Sequence, residues 1–334
     1  MTACLTPAAP PVPVRNAVRG RCVPVWLSLF ALAIGGFAIG TTEFASMGVL
    51  PEVANDLGVS IPTAGHSITA YALGVVVGAP LFAIMGARLP RKGLLIWLMA
   101  GIGVGNLLSV LAPTFGLLVV SRFVSGLPHG AYFGMAAVVA SALVPPARRA
   151  RAVASTLVGL TVANIVGVPL AAMLGQQLGW RTTYATVVGV ALLTLVAVEL
   201  LVPRVAAVEG ASPRREVSAL QRPVVWLTLL VGTIGFGGFF AVYSYIAPTL
   251  TELGGLSPAR IPFVLALLGV GMTVGTLLGG RMADWSVLRT LVLGPVLTVA
   301  TLLAFTVTAH GQVTATVTVF VLTIVMAVWL PALT

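Results

Sequence analysis

The sequence predicts an all-α polytopic membrane protein arranged as two bundles of helices. Three observations carry that prediction. Hydrophobic residues make up 58% of the 334-residue chain against 8% charged, at a mean hydropathy of +1.08; the apolar residues gather into ten separate runs; and the basic residues favour one side of that series. So much apolar surface cannot be hidden in a single soluble core. In lipid, a lone strand would leave its backbone groups unpaired, so each run is read as a helix.

Residues 1–24 carry Pro7, Pro10, Pro11 and Pro13, then Arg15, Arg19 and Arg21, and read as a disordered cytoplasmic tail closing in a basic flank. Cys4 and Cys22 lie in this tail without metal-ligand spacing. The first run, 25–50, is longer than the apolar core of a secretory signal and holds Glu43, so it reads as an uncleaved first span. The others follow at 64–87, 93–111, 116–144, 152–178, 182–202, 224–250, 261–280, 290–308 and 313–330, lengths of 18 to 29 residues that suit a bilayer. Between the sixth and seventh, residues 203–223 carry four arginines and two glutamates, a cytoplasmic linker. It separates a six-helix bundle, 25–202, from an incomplete four-helix bundle, 224–334.

The net charge of +10 and pI near 11.0 would suggest nucleic acid in a soluble protein. Here the charge sets orientation instead, and no nucleic acid or protein partner is called for. With the N-terminus cytoplasmic, fifteen of the eighteen basic residues fall in inner segments, among them Arg88, Arg91 and Lys92. Only Arg181 and Arg260 fall outside, and Arg122 lies within a span. Comparing the chain with itself at an offset of 197 residues aligns Pro51 with Pro248, Gly58 with Gly255, Ser60 with Ser257, Gly74 with Gly271 and Gly78 with Gly275. That is the mark of two parallel repeats flanking a central path.

A carboxylate near the middle of a span costs roughly 2.5 to 3.5 kcal/mol on insertion scales, so Glu43 asks for a polar surrounding and a task. Glu43 precedes Pro51 by eight residues and Arg122 follows Pro113 by nine, which puts both roughly 12 to 14 Å from the outer surface. At one depth, the two charges can attract each other or compete for a proton, and a change in their separation changes proton affinity. The structural alternatives are a static ion pair, or an arginine satisfied by backbone carbonyls. His129, two turns beyond Arg122, can relay protons or simply bond a neighbouring helix, and Pro128 beside it should kink the span.

Span 5 reads GLTVANIVGVPLAAMLG, with Gly159, Gly167, Pro169 and Gly175 suited to close packing and bending, and Asn164 able to meet a substrate or a neighbouring helix. Tyr71, Tyr243 and Tyr245 offer apolar faces with hydroxyls for a mostly apolar ligand, or serve as interface anchors. The loop after span 2 holds Arg88, Arg91 and Lys92. Its repeat partner, GGRMADW, holds Gly280 and Asp284, so both loops are candidate latches between states, or plain topology signals. His66, His129 and His310 sit on separate segments, and no nucleophile or zinc motif is present, so no enzyme, metal or cofactor is expected.

Three stretches, GTTEFASMGVLPEVANDLGVS in span 1, SRFVSGLPHGAYFG in span 4 and GVPLAAMLGQQLGWR in span 5, resemble the major facilitator superfamily, and within it the bacterial drug:proton antiporters of the chloramphenicol-resistance and arabinose-efflux type. The resemblance places the family's arginine on Arg122 with Gly126 and Gly130 after it, and the antiporter pattern on Gly167, Pro169 and Gly175. It implies alternating access around a cavity lined by spans 1, 4, 7 and 10 in a bacterial cytoplasmic membrane, with the proton gradient driving export. The expected substrate is a small, largely apolar molecule such as a phenicol; the alternatives are a sugar efflux permease and a truncated, inactive transporter. Three departures stand out, one being that Val168 splits the glycine and proline of the span 5 motif. Ala83 and Ala87 replace a glycine and an aspartate of the family's loop pattern, so the latch is expected to be weaker or to rely on Asp284. The superfamily has twelve helices where ten are found here, so the second bundle is expected to show a bare packing face.

Overall fold

A computed structural model describes residues 23–86, 89–204 and 223–329. The tail through Cys22, the latch candidate Arg88 and nearly all of the linker lie outside these residues. Among those described, nine helices are long and apolar enough to cross a membrane, and a tenth is apolar but shorter. Spans 1 to 6 are Val25–Gly48, Ile61–Gly86, Arg91–Leu111, Phe115–Ala142, Pro146–Leu178 and Arg181–Leu201. Spans 7 to 10 are Pro223–Ser244, Ile261–Trp285, Val287–Thr308 and Gln312–Val328.

Proline interrupts three spans near the places where polar side chains collect. Span 1 stops at Gly48, and Val49 turns the chain into a short helix, Leu50–Asp56, with Pro51 and Glu52 in its first turn. A proline costs nothing where its missing N–H would be unpaired, and an acid there suits the helix dipole. Span 4 is broken at Leu127 and Pro128, between Phe115–Gly126 and His129–Ala142. Thr114 caps its start, its hydroxyl accepting from the Leu117 N–H. In span 5 a π-turn, Ala163–Gly167, precedes Pro169. The proline ring crowds the carbonyl four residues back, and a wider turn relieves that clash.

The repeat seen in the sequence has a matching geometry. Span 1 breaks at Val49 and span 7 at Tyr245, before the short helix Ile246–Pro248. Gly58 and Gly255 both adopt φ near +60° (62° and 66°), a conformation that side-chain-bearing residues rarely take. Gly78 of span 2 abuts the Leu127 carbonyl of span 4, and Gly275 of span 8 abuts the Ile324 carbonyl of span 10. The two pairs differ by the same 197-residue offset. Glycine is needed at these seams because backbone meets backbone.

Within the first bundle, span 1 packs on spans 5 and 6, span 2 on span 4, and span 3 on spans 4 and 6; in the second, span 10 packs on spans 8 and 9. The bundles meet where span 8 lies against the π-turn and the Val168–Leu178 segment of span 5. One hydrophobic core runs across that junction, joining Phe44, Met47 and Val168 to Phe239, Ile246 and Leu265. The other, around Leu95, Leu98, Ile102 and Val139, is built from spans 1 to 6 alone. The bundles are thus joined at the Pro51 end, while the core at the Arg91 end belongs to one of them.

Gly126 sits against the Tyr71 carbonyl, whereas nothing lies near a side chain added at Gly134 of the same span. Gly126→Val should destabilise the protein by about 1 to 3 kcal/mol through overpacking, and Gly134→Val should not. Thermal unfolding midpoints of the two variants in detergent compare them directly.

Candidate functional site

The site is organised by a guanidinium with no access to solvent. Arg122 is fully buried, and a charge in that position must be held by acceptors the protein supplies. Its Nη2 donates to the carbonyl of Thr42 at 3.1 Å and its Nη1 to the Thr42 hydroxyl at 2.9 Å, with a longer bond to the Ser125 hydroxyl at 3.4 Å. The guanidinium also lies over two rings, 4.4 Å from the centre of Tyr71 and 5.1 Å from that of Tyr184, where the ring faces attract a cation. Nε has no hydrogen-bond partner. Thr42 in turn donates its hydroxyl hydrogen to Asn106 Oδ1 at 2.6 Å, and Asn106 Nδ2 donates to the Ile102 carbonyl at 2.8 Å.

Glu43, the next residue of span 1, is half-buried. The two charges share a level, as the spacing to the prolines implies, yet no ion pair joins them: among the described residues the ion pairs are Lys92–Glu199 and Arg181–Asp56. Arg122, Tyr71 and Tyr243 are the groups that Glu43 feels electrostatically. The Tyr71 hydroxyl is 2.8 Å from His129 Nδ1, so spans 1, 2 and 4 bring Glu43, Arg122, Tyr71 and His129 into one polar cluster. From span 7, Tyr243 is buried with its ring edge-on to Phe44 at 5.5 Å, and Phe240 stacks on the same Phe44 at 6.1 Å.

The remaining sequence candidates separate. Tyr245 packs against Gly65 at the start of span 2, away from the cluster. Asn164 lies on the π-turn, with its Oδ1 buried and unpartnered and its backbone carbonyl pressed against Gly269 of span 8. Gly159, Gly167 and Gly175 pack on Ala33, Thr41 and Thr183, and Pro169 is buried behind the π-turn. Gly130 lies close to Ala79 of span 2, whose Cβ would be 3.2 Å from a Cβ added at Gly130, tighter than ordinary packing. In the loop regions, Arg91 is buried, with an unpartnered Nε, and Lys92 binds Glu199 of span 6 at 3.3 Å. Asp284 is exposed and makes no ion pair among the described residues, and Gly280 faces open space. The tight approach falls one residue earlier, where Gly279 meets the Val328 carbonyl.

Sequence reasoning missed Thr42, Asn106 and Tyr184. Of these, only Asn106 left a signal, as an amide alone in the apolar run of span 3. It also missed a clasp at the Pro51 end. Asp56 accepts from Trp180 Nε1 at 2.8 Å and from Arg181 at 2.6 Å, and Arg181 donates onward to the Ala112 carbonyl at 3.0 Å.

Two linked bundles of apolar spans hold a buried arginine bonded to neutral acceptors beside a carboxylate with no ion pair among the described residues, a polytopic membrane scaffold with a polar interior. The chain belongs to the Major Facilitator Superfamily, whose family profile matches residues 32–334. It is 44% identical over 265 residues to the inner membrane transport protein YdhP of Escherichia coli (strain K12), covering 79% of this chain and 68% of that one. It is 38% identical over 255 residues to AraJ of the same organism, covering 76% and 65%. A chloramphenicol resistance protein of Streptomyces lividans is 36% identical over 278 residues, covering 82% and 71%. The chain thus spans about two thirds of the length of these relatives. In fold it is similar to the crystal structure of a bacterial homologue of the human lysosomal transporter Spinster in an inward-facing, unoccupied conformation, at a TM-score of 0.75 and 19% identity, covering 92% of this chain and 74% of that one.

The bonds from Trp180 first, and then Arg181, hold the Asp56 carboxyl below its usual value of 3.8. A carboxyl depressed by folding contributes stability that is complete above its unfolded value and is lost as pH falls through the folded one. The thermal midpoint of the wild type should therefore drop as pH falls below about 4. Asp56→Asn should start lower at neutral pH and lack that part of the acid loss. Melting curves across pH in detergent check both.

Proposed function

We propose that this chain exports a small, largely apolar molecule by proton-coupled antiport with alternating access, its N-terminus in the cytoplasm. The observation that carries the proposal is Glu43: an acidic side chain within span 1, next to the threonine that binds the buried Arg122, yet in no ion pair among the described residues. A carboxylate locked to a guanidinium would have little reason to take up a proton. One that only feels the guanidinium can change its proton affinity whenever the bundles move.

The packing supports the alternating part of the reading. The shared core closes the junction at the Pro51 end, and at the Arg91 end the described residues hold no such core in common. Fifteen basic residues against two support a cytoplasmic Arg91 end, and with it an inward-facing arrangement. Next to Glu43 in sequence, Phe44 packs against Phe240 and Tyr243 of span 7, so the aromatic contact between the bundles adjoins the carboxylate-bearing turn.

Those rings favour an apolar or aromatic ligand. Sugars need many closely spaced donors and acceptors, whereas the side chains packed around Phe44 are aromatic with few hydroxyls. The name of the Streptomyces lividans relative leans the same way. Asn164, with an unpartnered oxygen at the bundle junction, is the candidate polar contact for such a ligand.

Glu43→Gln should insert normally and lose proton-driven export to background. Arg122→Ala should lose transport or run it uncoupled from the gradient. Efflux in everted vesicles over a panel of phenicols, dyes and pentoses, with and without a proton gradient, measures both. Undiminished uphill export by Glu43→Gln would reject the coupling role, and normal stoichiometry in Arg122→Ala would make the arginine structural.

A further inference from the structure

The hydrogens around Thr42 can be assigned by elimination. Arg122 carries only donors, so the Thr42 hydroxyl oxygen accepts from it. The Ile102 carbonyl carries no hydrogen, so the part of Asn106 that faces it is the amide nitrogen, and Oδ1 is left facing Thr42. Thr42 has one hydroxyl hydrogen, and it goes to that oxygen. Asn106 therefore turns the Thr42 hydroxyl into a dedicated acceptor for the guanidinium. The Thr42 carbonyl serves the same end from the backbone. All of these side chains are buried, where a bond to a charge is strongest and no water can replace it.

We propose that Asn106 is a positioning residue for Arg122: through the Thr42 hydroxyl it holds the guanidinium on the backbone of span 1, off the carboxylate of Glu43. The proposal rests on Glu43 as the proton carrier and adds what keeps that carrier unpaired. The groups that face Glu43 are Arg122 from span 4, Tyr71 from span 2 with His129 behind it, and Tyr243 from span 7. Span 6 brings Tyr184 to the guanidinium, and spans 5 and 8 carry their ionisable side chains, Arg148, Arg149, Arg151, Arg281 and Asp284, only toward the Arg91 end. Among the described residues, Arg122 is thus the one permanent cation in reach of the carboxylate. Deprived of Thr42, its natural new acceptor is Glu43, which holds its negative charge more firmly once paired.

The test compares Thr42→Val, which keeps the shape and removes the hydroxyl, with Thr42→Ser, which keeps the hydroxyl, and with Asn106→Leu. Proton-driven export in everted vesicles is followed across pH. Thr42→Val and Asn106→Leu should lower the rate by about tenfold, the loss of one buried bond to a charge. They should also move the pH midpoint of export by about one unit toward acid, as expected when a carboxylate gains a cationic neighbour. Thr42→Ser should restore the wild-type midpoint. Wild-type midpoints in Thr42→Val and Asn106→Leu would overturn the positioning role whatever their rates, because a packing defect lowers the rate without moving the profile. If Asn106→Leu fails to accumulate in the membrane, Thr42→Val against Thr42→Ser decides alone. Glu43→Gln, run alongside, separates the two ideas. If it still exports uphill, the carrier reading and this one fail together; if it is inactive while the profiles stay fixed, only the positioning role fails.

Discussion

A guanidinium sealed from solvent between the first and fourth spans sets the terms for the polar interior. Arg122 cannot shed its charge, so its surroundings must supply acceptors, and they come chiefly from one residue, Thr42, through both its carbonyl and its hydroxyl. The rings of Tyr71 and Tyr184 lie against it. That arrangement fixes span 1 against span 4 at mid-depth and consumes the groups that would otherwise leave the arginine free to seek the adjacent carboxylate. On the proposal made above, Glu43 stays unpaired because Arg122 finds its acceptors at Thr42, and this separation of two neighbouring charges is what would let the cluster respond to a proton.

Around that point the scaffold divides its work between rigid seams and breaks. Backbone-to-backbone contacts at Gly74, Gly78 and Gly126 lock spans 2 and 4 together, and the contacts at Gly275 and Gly279 do the same for spans 8 and 10. The breaks at Val49, Pro128 and the π-turn before Pro169 lie close to the polar cluster or to the junction between bundles. Asn164 sits in that π-turn against Gly269 of the opposite bundle, so the most irregular backbone in span 5 is also where the two bundles touch. Rigid seams inside each bundle and irregular backbone between them suit movement of one bundle against the other.

Much of this was legible from the chain. The ten apolar runs, the repeat at 197 residues and the level of Glu43 and Arg122 follow from hydropathy, glycine and proline positions, and counting from the ends of spans. Those are local or periodic signals. The partners of Arg122 were not legible, because they depend on which faces of spans 1, 3 and 6 turn inward. Thr42 lies 80 residues from Arg122 and 64 from Asn106, and threonine is at home in any apolar helix. The latch expected around Gly280 and Asp284 was read from a motif, whose close contact falls at Gly279 while Asp284 stays exposed. Proline predicted a bend in span 5 but not its form, since a kink and a π-turn both relieve the same clash.

The central claim is that substrate and proton compete through one acidic side chain kept apart from its neighbouring arginine. The most direct measurement is proton release on ligand addition: purified protein in weakly buffered detergent is mixed with chloramphenicol while an indicator dye follows pH. The account predicts release from the wild type and none from Glu43→Gln. Equal release from both would contradict it.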